Sequence, residues 1–326
     1  MKKACIVLLI LTMFLCACEY PSDKWGNALA ETTEPIKTVD SADNENTSDN
    51  ENTSESESSI DSKFPYEYTD RLSDNLKGGR SMLNSVEKEI YDEMLPYVLS
   101  YTPYKVDFRN EDYSYKSFSK ATRAIYQDYP ETWLYYSEEY EYDIDSCDEY
   151  GNPSIVYTGA SCYFTIQYTW ENIENFDKSA VDSYIKEINT RCDLIISQMP
   201  SGLSTKEKYT WLADYICDTT EYFEDEKYFY ADGPLLYGKG ICQSYAYAYQ
   251  WLCQKAGLWC IPCHGYGYGV GHAWNVIMLD DGSTYYMDLT WADGVKDPSY
   301  YYFMTYEKCV NTRHTIEDGE WIANGE

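Results

Sequence analysis

Three side chains between Gly238 and Trp291 could together perform nucleophilic catalysis: the thiol of Cys242, the imidazole of His272 and the carboxylate of Asp288. Cys242 follows Gly238-Lys239-Gly240, which reads as a flexible turn. From there Cys242, Tyr245, Ala246, Tyr249, Leu252, Cys253 and Ala256 recur at helical spacing, and Gly257 stops the run as a C-cap would. The cysteine therefore belongs to the first turn of an amphipathic helix. The positive end of the helix dipole, with Lys239 nearby, favours the thiolate there, and the thiolate is the nucleophile. The backbone N–H of Cys242 would be one donor to an oxyanion; the sequence assigns no second. Most lone cysteines are small buried apolar residues, a description that fits mid-helix Cys253 better than Cys242.

The other two groups need a hairpin to deliver them. His272 to Leu279 and Ser283 to Leu289 read as strands around Asp280-Asp281-Gly282, a three-residue loop with glycine at the left-handed position. Such a loop pairs Leu279 with Ser283, and hence Trp274 with Asp288. His272 and Asp288 then become diagonal neighbours on one face, roughly 5–8 Å apart at Cβ. A two-residue turn would send them to opposite faces. Each residue alone is better read as structural, a core histidine or a strand-end carboxylate. The pair, downstream of a helix-start cysteine, reads as a base and its orienting acid. His314 is the substitute base for any other register.

The blocks Gly-Lys-Gly-Ile-Cys-Gln-Ser-Tyr-Ala (238–246), Gly-His-Ala-Trp-Asn (271–275) and Tyr-Met-Asp-Leu-Thr-Trp (286–291) resemble, in order and spacing, the core of the transglutaminase-like superfamily. The resemblance implies an α+β, papain-related fold, with a helix carrying the cysteine packed on an antiparallel sheet carrying His and Asp. It implies a catalytic triad of Cys242, His272 and Asp288 that attacks an amide carbonyl through a thioester. Its substrate would be a protein or peptide, cell-wall or host protein among the candidates, and no cofactor or metal is called for. The reaction stays open, because the superfamily spans cross-linking enzymes, proteases, other amide hydrolases and members without activity. The alternative function is a non-catalytic, surface-displayed module of the same fold that holds a cell-wall or host peptide.

The 326-residue chain is long enough for one or two domains. Lys2, Lys3 and an apolar run from Ala4 to about Ala17 read as an export signal over residues 1–17, short of the ~20 residues of a spanning helix. Leu15-Cys16-Ala17-Cys18 resembles a bacterial lipobox, which would make Cys18 the lipid-bearing N-terminus of an extracytoplasmic, membrane-anchored protein. Stable anchoring needs the several acyl chains that such a cysteine carries. Residues 18–63 are rich in Ser, Thr, Asn, Asp and Glu, and repeat Asp-Asn-Glu-Asn-Thr-Ser at 43–48 and 49–54. They carry too few apolar groups to fold and read as an acidic, disordered tether averaging roughly 35–40 Å end to end. A net charge of −30 leaves no basic patch for nucleic acid and no cationic tract for anionic lipid headgroups. Of the 12 cysteines, Cys5 and Cys16 would leave with the signal, while Cys18 and Cys242 have roles of their own. An oxidising location would permit disulfides among the rest without fixing their connectivity.

Order begins near Phe64, with residues 64–200 read as an N-terminal α/β scaffold and 201–326 as the catalytic core. Helices are expected from Ser81 to Leu95, Ser117 to Tyr126 and Ser179 to Met199, with a further one opened by a capping box at Ser204-Thr205-Lys206-Glu207. Trp133 to Tyr136 and Ser161 to Trp170 read as strands. Gly265-Tyr266-Gly267-Tyr268-Gly269 reads as a mobile loop at the rim of the cleft. Cys260-Ile261-Pro262-Cys263-His264 matches the haem-attachment pattern C-x-x-C-H. On a strand residues three apart face opposite ways, which puts two thioethers to one porphyrin out of reach; a bend at Pro262 would bring them together, so an exported haem protein stays a third reading.

Overall fold

The computed structural model describes residues 68–147, 153–165, 176–317 and 319–325. The segments expected to be an export signal and a tether, with Cys18 between them, lie outside the described residues. Helices α1 (Gly78–Ser81), α2 (Ser85–Leu99) and α3 (Tyr115–Asp128) come first. They pack with a three-stranded antiparallel sheet in the order β1 (Tyr104–Asp107), β3 (Pro153–Phe164), β2 (Tyr136–Cys147). Helix α2 starts four residues later than expected because Asn84 and Glu87 cap each other's backbone N–H groups at 3.0 and 2.9 Å. Trp133 is not on a strand: Pro130–Leu134 winds a 3-10 turn, and β2 begins at Tyr136. The strand expected from Ser161 is the end of β3, which closes at Phe164, and residues 166–170 lie outside the described residues.

Helices α4 (Lys178–Ser197) and α5 (Thr205–Thr219) follow, the second opened by the Ser204/Glu207 capping box. The two-residue strands β4 (Glu221–Tyr222) and β5 (Lys239–Gly240) pair in parallel immediately before α6 (Cys242–Lys255). A four-stranded antiparallel sheet follows, in the order β8 (Thr284–Met287), β7 (Val270–Met278), β6 (Cys260–Gly267), β9 (His314–Ile316). Between β8 and β9 lie the short helices α7 (Leu289–Asp293) and α8 (Tyr306–Asn311). The fold is thus α+β, with the cysteine-bearing helix against an antiparallel sheet.

Helix α6 is the centre of the molecule. Nearly every residue from Cys242 to Gln254 is buried, including Gln250 and Gln254. A glutamine in an apolar core is tolerated only when its amide is satisfied. Here Gln250 donates to the Gln127 carbonyl, and Gln254 donates to the Asp128 carbonyl at 2.7 Å. These bonds pin the end of α3 onto α6, and Arg71 adds a bond to Gln254 at 3.1 Å while holding Glu131 at 2.5 Å. One apolar core consequently runs without a break from Leu72 to Ala323. Several of the 37 tyrosines lie in it with their hydroxyls bonded to backbone, as Tyr209 does to the Trp259 carbonyl at 2.6 Å.

Candidate active site

Cys242 occupies the first position of α6, as its spacing requires. The segment before it is not a flexible turn. Gly238 takes a left-handed conformation (φ 64°), and Lys239–Gly240 is then held as β5 against β4. Gly240 must be glycine for a steric reason: a Cβ there would lie 2.2 Å from Ser244 Oγ. That hydroxyl is already in use, accepting from Ile241 N–H at 2.7 Å and donating to the Ile241 carbonyl at 2.9 Å. It thereby closes the N-terminal turn that carries the thiol. Lys239, expected to add charge near the thiol, instead lays its ammonium over the rings of Phe223 and Tyr228, 4.2 and 5.9 Å from their centroids.

The hairpin has the register expected from Gly282, whose φ is 82°. Leu279 N–H donates to the Ser283 carbonyl, and Asn275, Val276, Ile277 and Met278 oppose Met287, Tyr286, Tyr285 and Thr284. The second strand is shorter than expected: β8 stops at Met287, because Asp288 turns to cap α7. Its Oδ1 accepts from Trp291 N–H at 3.1 Å, which fixes the carboxylate. Its Oδ2 faces His272 Nε2 at 2.9 Å. Helix α7 is itself held to α6 by Tyr245, whose hydroxyl donates to Asp293 at 2.8 Å. The indole of Trp291 stacks on the His272 ring with centroids 4.8 Å apart and planes 18° from parallel.

Asp288 has no exposed side-chain surface. Burial alone would raise its pKa, but the His272 charge and the hydrogen bonds from His272 and His314 hold the carboxyl well below the usual range. The group is an anion at any ordinary pH.

The Gly-Tyr-Gly-Tyr-Gly segment is not a loop. Gly265 and Gly267 are the last residues of β6, and only Tyr268 and Gly269 (φ 52° and 81°) form the turn into β7. Gly265 opposes His272, and Gly267 opposes His314 on the other neighbouring strand. Opposed residues share a face, so both glycines lie on the face that carries the two imidazoles. A Cβ on Gly267 would sit 2.5 Å from the Trp291 ring, and one on Gly265 would sit 2.0 Å from the Thr315 carbonyl oxygen of β9 and 2.9 Å from the Trp274 ring. The glycines clear the space that the rings and α7 fill.

Strand β7 presents Ala273 and Asn275 to α6: Ala273 packs with Cys242 and Ala246, and Asn275 donates to the Ala246 carbonyl at 2.9 Å. His272, the residue before Ala273 on β7, stacks on Trp291 of α7. A cleft of about 360 Å³ wraps the start of β7 and is bordered by Cys242, Gly271, His272 and Ala273 together. Its far wall comes from the N-terminal region, with Arg123, Tyr126, Trp133 and Tyr140. Trp133 stacks between Tyr126 and Tyr247, with centroids 4.0 and 5.6 Å away. That wall was not foreseen, since residues 64–200 read only as scaffold.

His314, considered above only as a substitute base, reaches the same carboxylate: its Nε2 lies 3.0 Å from Asp288 Oδ2. The donor atoms of His272, Asp288 and His314 lie within 4.8 Å of one another, a set that could hold a divalent cation. The two contacts of 2.9 and 3.0 Å are fully accounted for as N–H···O bonds. Cys260 and Cys263 do point apart, Cys260 beside Cys253 and Cys263 beside Cys309. His264 is shared by the Tyr247 hydroxyl at 3.3 Å and Glu320 at 3.4 Å. None of the eight cysteines whose side chains are described forms a disulfide with another of them.

No family model matches the sequence. Among curated proteins, mouse kyphoscoliosis peptidase is 25% identical over 176 residues, and the human protein of that name is 23% identical over 180. These alignments cover 45% and 46% of this chain but only 26% and 27% of the relatives, so the chain spans about a quarter of their length. Among solved structures, the chain is similar to a proposed cysteine protease from Cytophaga hutchinsonii (15% identity, TM-score 0.29, 48% of this chain and 64% of that one). It is also similar to a TGase (15%, 0.31, 47% and 44%) and to a proposed protease from Parabacteroides distasonis (12%, 0.27, 51% and 38%).

Proposed function

We propose that this chain is a cysteine enzyme that acts on amide bonds of protein or peptide substrates through a thioester on Cys242. The observation that carries the reading is a single cleft bordered both by a helix-start thiol and by an imidazole whose other edge is held by a buried carboxylate. Because Asp288 Oδ2 accepts a hydrogen bond from the Nε2–H of His272, Nδ1 is the nitrogen that exchanges a proton with the thiol. Nδ1 accepts the Cys242 proton as Sγ attacks the amide carbon. The imidazolium then gives that proton to the departing nitrogen as the C–N bond breaks, leaving a thioester. The Cys242 backbone N–H, at the positive end of α6, is a donor to the tetrahedral oxyanion. In the second half, water or a primary amine attacks the thioester, Nδ1 takes its proton, and the thiol is restored.

A peptide bond so treated is hydrolysed, whereas a glutamine side chain loses ammonia and ends as glutamate or as a cross-link. A panel of glutamine-containing peptides, with and without a primary amine, distinguishes these by mass spectrometry as cleavage, deamidation or amine incorporation. We expect one of the three in wild-type protein and none after Cys242→Ala. Products equal in both would return the chain to the reading of a peptide-binding module.

The same proposal includes an extracytoplasmic, lipid-anchored protein, supported by the lipobox-like Leu15-Cys16-Ala17-Cys18. Cells fed a palmitate analogue should label the wild-type chain and not Cys18→Ala; equal labelling of both would rule that attachment site out.

A further inference from the structure

Asp288 Oδ2 carries two imidazoles, and the mechanism above uses only one. We propose that His314 is a positioning residue, a ring that donates from both of its nitrogens and thereby locks the Asp288 carboxylate in the orientation that serves His272. This rests on the reading of Cys242, His272 and Asp288 as the reacting machinery.

His314 Nε2 faces Asp288 Oδ2 at 3.0 Å. Nδ1 faces the Cys309 carbonyl at 3.2 Å and Thr312 Oγ1 at 3.0 Å. A carboxylate and a carbonyl can only accept. The Thr312 hydroxyl has one proton, and the carbonyls of Lys308 and Cys309, 2.9 and 2.8 Å away, are there to accept it, which leaves an oxygen lone pair for an Nδ1–H. A ring with an N–H at each end thus satisfies every acceptor around it, and this is the state we assign. The side chain has no exposed surface, so water cannot take over an unmet contact. The titratable neighbours packed around it are Asp288 at the start of α7, His272 on β7 and Cys309 on α8, whose thiol burial pushes far up. The rings of Trp274 and Trp291 fill the remainder, with centroids 4.8 and 4.2 Å away.

The placement suits a buttress. His314 opposes Gly267 and His272 opposes Gly265, two residues apart on β6, so the rings share a face with no side chain between them. They flank Asp288 with centroids 5.7 Å apart. Trp291 N–H holds the other carboxylate oxygen. With Oδ1 capped and Oδ2 held from behind, the carboxylate cannot rotate away, and the Nε2–H direction of His272 is set. His314 touches no reacting atom; it acts through Asp288, as outer partners of metal-bound or catalytic histidines do.

The test uses the rate at which iodoacetamide alkylates Cys242, followed peptide by peptide, in wild type, His314→Gln, Asp288→Asn and the double variant. His314→Gln should slow alkylation by roughly 10-fold, within the range for loss of such a partner. In the Asp288→Asn background the same change should alter the rate less than about twofold, because the residue through which it acts is gone. An unchanged rate in His314→Gln, or equal slowing in both backgrounds, would overturn the proposal. A direct reading comes from ring ¹⁵N–¹H spectra of the wild-type protein, which has only three histidines to assign. Two protonated nitrogens on His314 are expected, and one would refute the double donation even if His314→Gln fails to fold. A wild-type Cys242 inert to alkylation would instead sink the catalytic reading, leaving the ring spectra to decide His314 on their own.

Discussion

Cys242→Ala should abolish amide turnover, by roughly 10⁵–10⁶-fold, the scale of losing a nucleophile from a cooperating set, while the protein remains folded. The fold should tolerate the change because the thiol is a small group packed beside Ala246 and Ala273. Deleting one buried sulfur there should cost about 1 kcal/mol or less, below the cost of removing a larger core group. Cys242→Ser should be almost as inactive, since a hydroxyl gives up its proton to an imidazole far less readily than a thiol does. No other described thiol is placed to substitute. Burial pushes Cys192 and Cys217 up to about 12, and it also holds Cys260 and Cys263 well above the ordinary thiol range. A thiol reagent at neutral pH should therefore select Cys242, because the thiolate is the reactive form. The check is turnover and urea midpoint measured on the same preparations. Residual turnover above about a tenth of wild type, with an unshifted midpoint, would remove Cys242 from the mechanism.

What could be read from the sequence was local. The helix start at Cys242 and the hairpin register at Gly282 are decided by neighbours within a few residues, through apolar period and turn type. The site features that could not be read are contacts between distant segments. His314 reaches Asp288 only because β9 pairs with β6 rather than with β8, a pairing that no spacing announces. The glycines at 265 and 267 suggested mobility because glycine permits it; their use here is to leave room for the Thr315 backbone and Trp274 at the first and for Trp291 at the second, which approach from elsewhere in the chain. Trp133 became part of the cleft wall because Gln250 and Gln254, two polar residues on an otherwise apolar helix, bind the backbone at the end of α3. Those glutamines were the available sign that something polar docks on α6, since a buried amide demands a partner.

Asp288→Asn should lower kcat by roughly 10⁴-fold, the scale seen when a buried aspartate that orients a catalytic histidine is made an amide. The carboxylate accepts on both oxygens: Oδ1 from Trp291 N–H at 3.1 Å, and Oδ2 from the rings of His272 and His314 at 2.9 and 3.0 Å. An asparagine has one oxygen and one NH₂ group to offer. With its oxygen towards the rings, the NH₂ confronts the Trp291 N–H; turned round, it confronts two ring nitrogens. His272 can then satisfy the amide only by moving its proton to Nδ1, the atom that must accept from the thiol, and the base is lost. Stability should follow pH in a defined sense. Burial raises the Asp288 pKa, but the two imidazoles more than reverse that, so the folded value lies below the unfolded one. The ionised group's contribution is therefore fully present above the unfolded value of about 3.9, and is lost as pH falls from there towards the folded value. The difference in urea midpoint between wild type and Asp288→Asn should be constant near neutrality and shrink below about pH 4. A difference that grows on acidification, or a kcat loss below about 10-fold, would show that Asp288 neither stabilises the site as an anion nor orients the base.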